Sequence, residues 1–252
     1  MLQTKDLTVR FGGHVAVNAV SCTFLPGTLT AIVGPNGAGK TTYFNLISGQ
    51  IKASSGEVIL NQRNLAGLSP SARTHAGLGR AFQLTNLFPH LTVLENVRLA
   101  VQATQSGAHN GGLNLWSVWS DHHALTQSAH SLLEKVSMAD KQHALVASLP
   151  HGDQRKLEVA LLMALDPLVY MFDEPTAGMS AEEAPVILNL IRQLKADTNK
   201  IILLVEHKMD VVRELADRII VLHNGQLVAD GEPNAVIASP IVQEAYLGVA
   251  VA

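Results

Sequence analysis

The run LTAIVGPNGAGKT, Leu29 to Thr41, decides how this chain is read. Gly34 to Thr41 fits the spacing G-x-x-x-x-G-K-[ST], in which a glycine-rich loop wraps a phosphate chain. Upstream, Leu29–Val33 is a short apolar run suited to a buried parallel strand. Downstream, Thr41–Ser48 reads as a helix that stops at Gly49. Strand, loop and helix in that order are what the chemistry requires. Gly34, Gly37 and Gly39, with Pro35, Asn36 and Ala38 between them, let backbone N–H groups turn inward without a Cβ in the way. The helix N-terminus adds positive dipole at the same point. Lys40 is then within reach of the β- and γ-phosphates. The Thr41 hydroxyl is placed to ligate Mg²⁺, and Thr42 completes the phosphate-binding set.

Outward from that loop, composition bounds the rest. The 252 residues are 47% hydrophobic and 15% charged, which indicates a globular chain of one large domain or a domain with a subdomain. A net charge of −3 leaves no basic field for nucleic acid, so no such partner is expected. The single cysteine, Cys22, excludes an internal disulfide and suits the reducing cytoplasm. MLQTKDLTVR lacks an apolar signal segment, and the nearest candidate span, Val159–Phe172, is broken by Asp166 and Pro167. A protein that touches a membrane partner without crossing the bilayer is the expectation.

Strand-like runs cover Leu7–Arg10, Val15–Phe24, Leu29–Val33 and Glu57–Leu60. The pattern turns helical near Ser69–Gly77. Thr92-x-x-Glu95 is a capping box opening a helix to about Val101. Gln102–Asn114 reads as a loop, followed by Trp116, Trp119 and polar helices to about Ala147. Beyond this helical middle block the α/β rhythm returns: strand Leu168–Phe172, helix Ser180–Lys195, strand Ile201–Val205 and helix Met209–Ala216. Pro185 should remove one backbone bond early in its helix. Arg218–His223 and Gln226–Asp230 form a hairpin around Asn224-Gly225. The fold class is α/β: a phosphate-loop core of mixed sheet and helices, an antiparallel β subdomain and an inserted helical subdomain.

A phosphate loop needs an acidic partner, and the apolar strand ending in Asp173-Glu174-Pro175 supplies it. Asp173 holds Mg²⁺ through water beside Thr41. Glu174 polarises an attacking water. The next strand ends in His207, which reaches the γ-phosphate from a neighbouring strand; alone it would read as one more surface histidine.

Leu149-Pro150-His151-Gly152-Asp153-Gln154-Arg155, opening a helix to about Leu165, resembles the signature sequence of ABC-type ATPases, usually written L-S-G-G-Q. The rest of that family's motifs follow in order. Gln83 after Gly79-Arg80-Ala81-Phe82 resembles the Q-loop glutamine, a catalytic and metal-contacting position. Asp173-Glu174 resembles Walker B, and Ala177-Gly178-Met179-Ser180 sits at the D-loop. His207 resembles the switch histidine, and Phe11 the aromatic that stacks on adenine. FGGHVAVNAVS, GDQRKLEVA and AYLG narrow the likeness to the Liv-type importer ATPases, which serve branched-chain amino acids and, in relatives, urea, amides and aromatic solutes.

The resemblance implies one ABC domain, with residues 1–82 and 166–252 as nucleotide-binding core and 83–165 as helical subdomain. It implies ATP and Mg²⁺ as cofactors, and a head-to-tail dimer with a second ATPase. In that dimer each ATP lies between one phosphate loop and the other subunit's Leu149, Gly152 and Asp153. Two membrane permease subunits, an indirect periplasmic solute-binding protein and a peripheral place on the inner face of the membrane complete the set. Pro150 departs from the family serine that meets the γ-phosphate; it lacks hydroxyl and N–H, while the Gly152 N–H and helix dipole remain. The rival readings are a lipopolysaccharide-export ATPase of the same fold and a soluble, non-transport ABC ATPase. GDQR and the AYLG ending argue against the first; the lack of coiled-coil insertions or paired cassettes argues against most of the second.

Overall fold

A computed structural model describes residues 1–81, 87–108 and 123–247, with backbone alone for 105–108 and 245–247. The chain divides into two compact units: Met1–Arg80 with Leu168–Glu174 and Leu194–Ala252, and Ala81–Pro167 with Pro175–Gln193.

The first unit holds two sheets. The antiparallel one is built from β1 (Leu2–Phe11), β2 (His14–Phe24), β4 (Ser55–Leu60) and β5 (Arg63–Asn64), in the order β2-β1-β4-β5. β1 is longer than the alternation suggests. Its register shifts between Thr4 and Leu7, where Asp6 takes a φ of +46°. A bulge there breaks the two-residue period by which a strand is recognised.

The second sheet runs β10-β9-β3-β8-β7-β6, with β3 (Thr28–Val33), β6 (Leu78–Ala81), β7 (Val169–Asp173), β8 (Ile201–Val205), β9 (Arg218–His223) and β10 (Gln226–Gly231). β3, β7, β8 and β9 are parallel, and β10 returns antiparallel through Asn224-Gly225, both at positive φ as the hairpin turn requires. β3 is buried from Leu29 to Val33 because both its faces are covered, and apart from Thr30 that run is apolar. Ile32 joins the core around α1 (Lys40–Ser48), with Tyr43, Phe44 and side chains of both sheets. Ala31 and Val33 face the opposite layer, where Val212, Val236 and Val242 come from α7 (Met209–Leu215), α8 (Pro233–Ile237) and α9 (Pro240–Leu247). β6 escapes the sequence reading because LGRA has no strand pattern; it is a strand by virtue of its place at the sheet edge. α2 (Pro70–His75) starts at a Ser69 cap.

The second unit is helical: α3 (Val93–Ala108), α4 (His123–Lys135), α5 (His151–Leu165) and most of α6 (Ala184–Lys195). Val93, Val97 and Val101 on α3, and Leu125, Ala129 and Leu133 on α4, are buried at four-residue spacing. The Thr92–Glu95 capping box is formed, the Thr92 N–H donating to Glu95 at 2.7 Å.

Two expectations are corrected. Gln102–Ala108 continue α3 instead of forming a loop, since glutamine and alanine favour helix; residues 109–114 of the expected loop lie outside the described residues. Pro185 costs no backbone bond. α6 begins at Ala184, so the missing N–H falls in the first turn, where it has no helical partner anyway. Among the described residues, no helix is long and apolar enough to cross a membrane.

Candidate functional site

The phosphate loop leaves the end of β3 and enters α1. Gly34 has φ +152°, and a Cβ built there would lie 2.1 Å from the Leu222 carbonyl oxygen. Gly39, at φ +96°, would bring a Cβ to 2.6 Å from the Ala16 oxygen. Only glycine satisfies both the dihedral and the close backbone approach. The loop is pinned from outside as well: the Gly225 N–H donates to Ala38 O at 3.1 Å, and the Asn18 N–H to Gly225 O at 2.8 Å. The hairpin turn of β9 and β10 therefore braces the loop.

Lys40 is buried, and its ammonium donates to the carbonyls of Gly34 (2.7 Å) and Pro35 (2.9 Å). Burial pushes its pKa down, while the nearby Glu174 and Asp173 carboxylates pull it back up. Thr41 and Thr42 stand in the first turn of α1.

Parallel pairing delivers the other half of the site. Asp173 at the end of β7 is in register with Val205 at the end of β8, and the Glu174 N–H donates to Val205 O at 2.9 Å. The residues just past these two strand ends are thereby neighbours. Glu174 Oε1 and His207 Nε2 lie 2.8 Å apart. Glu174 itself is held at φ +50°, a costly conformation for a non-glycine residue that concentrates at functional sites. Asp173 accepts from Arg80 at 2.7 Å.

These groups converge. A cleft of about 280 Å³ is lined by residues 36–42 with His14, Ala16, Glu174 and His207. His14 and Ala16 were not anticipated, although both lie in the stretch FGGHVAVNAVS. Phe11 pairs with His14 across the β1–β2 turn and is half exposed at 51%. Loop, cation, acid and histidine in one cleft suit binding of a phosphate chain and activation of a water beside it.

The signature segment belongs to the other unit. Leu149 is buried, Pro150 caps α5 without a side-chain hydrogen bond, and the Gln154 amide donates to Leu149 O at 3.0 Å. Gly152 is buried too, and a Cβ there would lie 2.3 Å from Glu183 Oε1. Asp153 is only 2% exposed and receives Lys141 at 2.5 Å and Lys156 at 3.1 Å. Burial alone would raise its pKa, but the two lysines overcome that and hold it low. Its carboxylate is thus engaged within its own unit. Gln83, Trp116 and Trp119 lie outside the described residues.

Comparison with known proteins agrees with this arrangement. The ABC transporter family model matches residues 17–177. The high-affinity branched-chain amino acid transport ATP-binding protein LivG of Escherichia coli (strain K12) is 36% identical over 251 residues, covering 99% of this chain and 98% of the relative. BraF, the high-affinity branched-chain amino acid transport ATP-binding protein of Pseudomonas aeruginosa, is 34% identical over 252 residues, again 99% and 98%. Among solved structures, a nucleotide-free ATP-binding cassette from an ABC transporter is 28% identical, with a TM-score of 0.81 and 99% of both chains covered. The ADP conformation of an ABC-transporter cassette gives 27% identity and a TM-score of 0.80, also over 99% of both chains. With its phosphate loop, acidic strand end and histidine in one cleft, this chain belongs to the ABC transporter family, as one of its ATP-binding and ATP-hydrolysing cassettes.

Proposed function

We propose that this chain powers the uptake of branched-chain amino acids, or of a related small solute, through a pair of membrane permease subunits. The observation that carries this reading is the end-to-end likeness to branched-chain amino acid transport ATP-binding proteins. The chain acts at the inner face of the membrane, as a head-to-tail dimer with a second cassette. A periplasmic solute-binding protein is the indirect partner.

In this proposal ATP lays its phosphates along residues 34–42 with adenine on Phe11. Lys40 exchanges two backbone carbonyls for β- and γ-phosphate oxygens. Thr41 and Asp173 offer only oxygen donors, the set a hard divalent cation takes, so they fit Mg²⁺, with Gln83 contributing to the same shell. Bound there, Mg²⁺ neutralises charge on the phosphates. Glu174 accepts a proton from the attacking water, and His207, already paired with Glu174, orients it and faces the γ-phosphate. The second cassette closes the site with the backbone at the start of its signature helix, around Leu149 and Gly152. Asp153 belongs with that set through its backbone.

The test is transport. The cassette is purified with its permeases, reconstituted in vesicles and supplied with ATP inside. Labelled leucine or valine should accumulate only with ATP and binding protein present. Uptake of urea or an amide alone would move the solute assignment to that branch. A complex that exports material, or a cassette that never associates with a membrane subunit, would overturn import.

A further inference from the structure

One buried cation beside the site has no role in the mechanism above. Arg80, on β6, has a side chain only 8% exposed. Its Nη2 donates to Asp173 Oδ2 at 2.7 Å, and its Nη1 to Asn45 Oδ1 at 2.7 Å and Ser48 Oγ at 3.0 Å. The guanidinium carbon also lies 5.4 Å from the centre of the Phe44 ring. The cation is therefore fastened to α1 at three residues while one fork of it holds the acidic strand.

The spacing on α1 gives this arrangement its meaning. Thr41, Asn45 and Ser48 stand at i, i+4 and i+7, one face of a helix. Arg80 grips the face of α1 on which Thr41 stands. It thereby ties Asp173 to the helix that carries Thr41, across 93 residues of chain. A carboxylate on a free side chain would rotate; here one oxygen is committed to a rigid planar fork and the other is left for a ligand.

We propose that Arg80 is a positioning residue that sets Asp173 relative to Thr41 so that the two can share one divalent cation. This rests on the reading of Asp173 and Thr41 as the Mg²⁺ pair. Two effects oppose each other. The Arg80 charge repels a cation, whereas the fixed geometry favours one. Outer-shell partners of metal-binding carboxylates typically cost about 10–100-fold in metal affinity when removed, so positioning prevails.

Arg80→Met keeps the length and apolar stem while removing the fork. Full-length protein is titrated with a fluorescent ATP analogue, first in EDTA and then at increasing Mg²⁺, with a melting curve for each variant. Nucleotide affinity in EDTA should stay within about twofold of wild type, and the Mg²⁺ concentration for half-maximal enhancement should rise roughly tenfold or more. Asn45→Ala, which loosens Arg80 without touching Asp173, should shift it the same way by less. Arg80→Met added to Asp173→Asn should change nothing beyond Asp173→Asn alone. An unchanged or lowered Mg²⁺ requirement in Arg80→Met overturns the proposal. Equal weakening in EDTA and Mg²⁺ does so too, because that is the mark of a general packing role. Should Arg80→Met fail to fold, an unshifted Asn45→Ala overturns it in its place. A wild-type Mg²⁺ response in Asp173→Asn would instead remove Asp173 from the metal, a failure of the underlying reading seen in the control itself.

Discussion

Lys40 is a buried ammonium that leans on two carbonyls. In the proposed mechanism it exchanges those bonds for phosphate oxygens. Lys40→Ala should therefore fold, with a melting temperature lowered by a few degrees at most, and lose at least about tenfold in ATP affinity, the loss of one strong charge-assisted contact. Titration with a fluorescent ATP analogue measures it, and unchanged binding would remove Lys40 from the phosphate site. Glu206, beside His207, makes a different point. It is 3% exposed, its Oε2 has no hydrogen-bond partner, and burial pushes its pKa up. A raised acid pKa means that the folded state binds this proton more tightly than the unfolded chain. Its contribution to stability is full below the ordinary carboxylate value, about 4.3, and is lost as pH rises through the folded value. Glu206→Gln cannot ionise. Its melting temperature relative to wild type should improve between pH 5 and pH 8, and parallel curves would show that Glu206 is uncharged, or paid for, throughout.

At the scale of elements, α5 begins on a proline with no side-chain cap. Pro150→Ser adds a hydroxyl that caps the helix, worth about 1 kcal/mol, and relaxes the unfolded chain by about 0.4–1 kcal/mol in the other direction. Stability should stay nearly level, and ATPase of the assembled complex should be equal or higher; a strong fall in rate would show that the proline itself shapes the signature. The loop before α3 is held more firmly. Buried Asn96 receives the Phe88 N–H at 2.8 Å and donates to Phe88 O at 3.1 Å and Thr92 O at 2.9 Å. That clamp leaves Phe88 55% exposed on a fixed backbone. An exposed aromatic on a rigid loop is the form of an anchor for a protein partner. Phe88→Asp should keep the melting temperature and ATP binding of the isolated cassette, yet weaken permease association by about 2 kcal/mol or more and abolish transport. Pull-down with the permeases, run beside a melting curve, decides it; normal association would reject the anchor.

At the scale of the whole molecule, the proposed mechanism links hydrolysis and assembly through Glu174. Glu174→Gln should bind MgATP, hydrolyse it at least about 100-fold more slowly, and accumulate as an ATP-bound dimer visible by sedimentation. Wild-type turnover in that variant would take Glu174 out of the reaction. Much of this was legible beforehand for a physical reason. The phosphate loop, the acidic strand end and the Asn224-Gly225 hairpin are local devices, in which backbone dihedrals and residue chemistry are specified by neighbours in the chain. The buried strands β3, β7 and β8 declare themselves because strands covered on both faces are predominantly apolar. Long-range geometry was not legible. Asp6 bulges β1 and hides half of it, and β6 exists only because a neighbouring strand pairs with it. Nothing local to Asp153 announces that Lys141 and Lys156 close around its carboxylate. Glu174 meets His207 only through the parallel register of β7 on β8, and Arg80 meets Asp173 only through the fold of the sheet edge over α1. The sequence by itself determined which groups the protein carries and the local backbone shapes that present them. Tertiary structure alone decided which of those groups face each other, because pairings across 33 and 93 residues are set by strand register and topology, which no local pattern encodes.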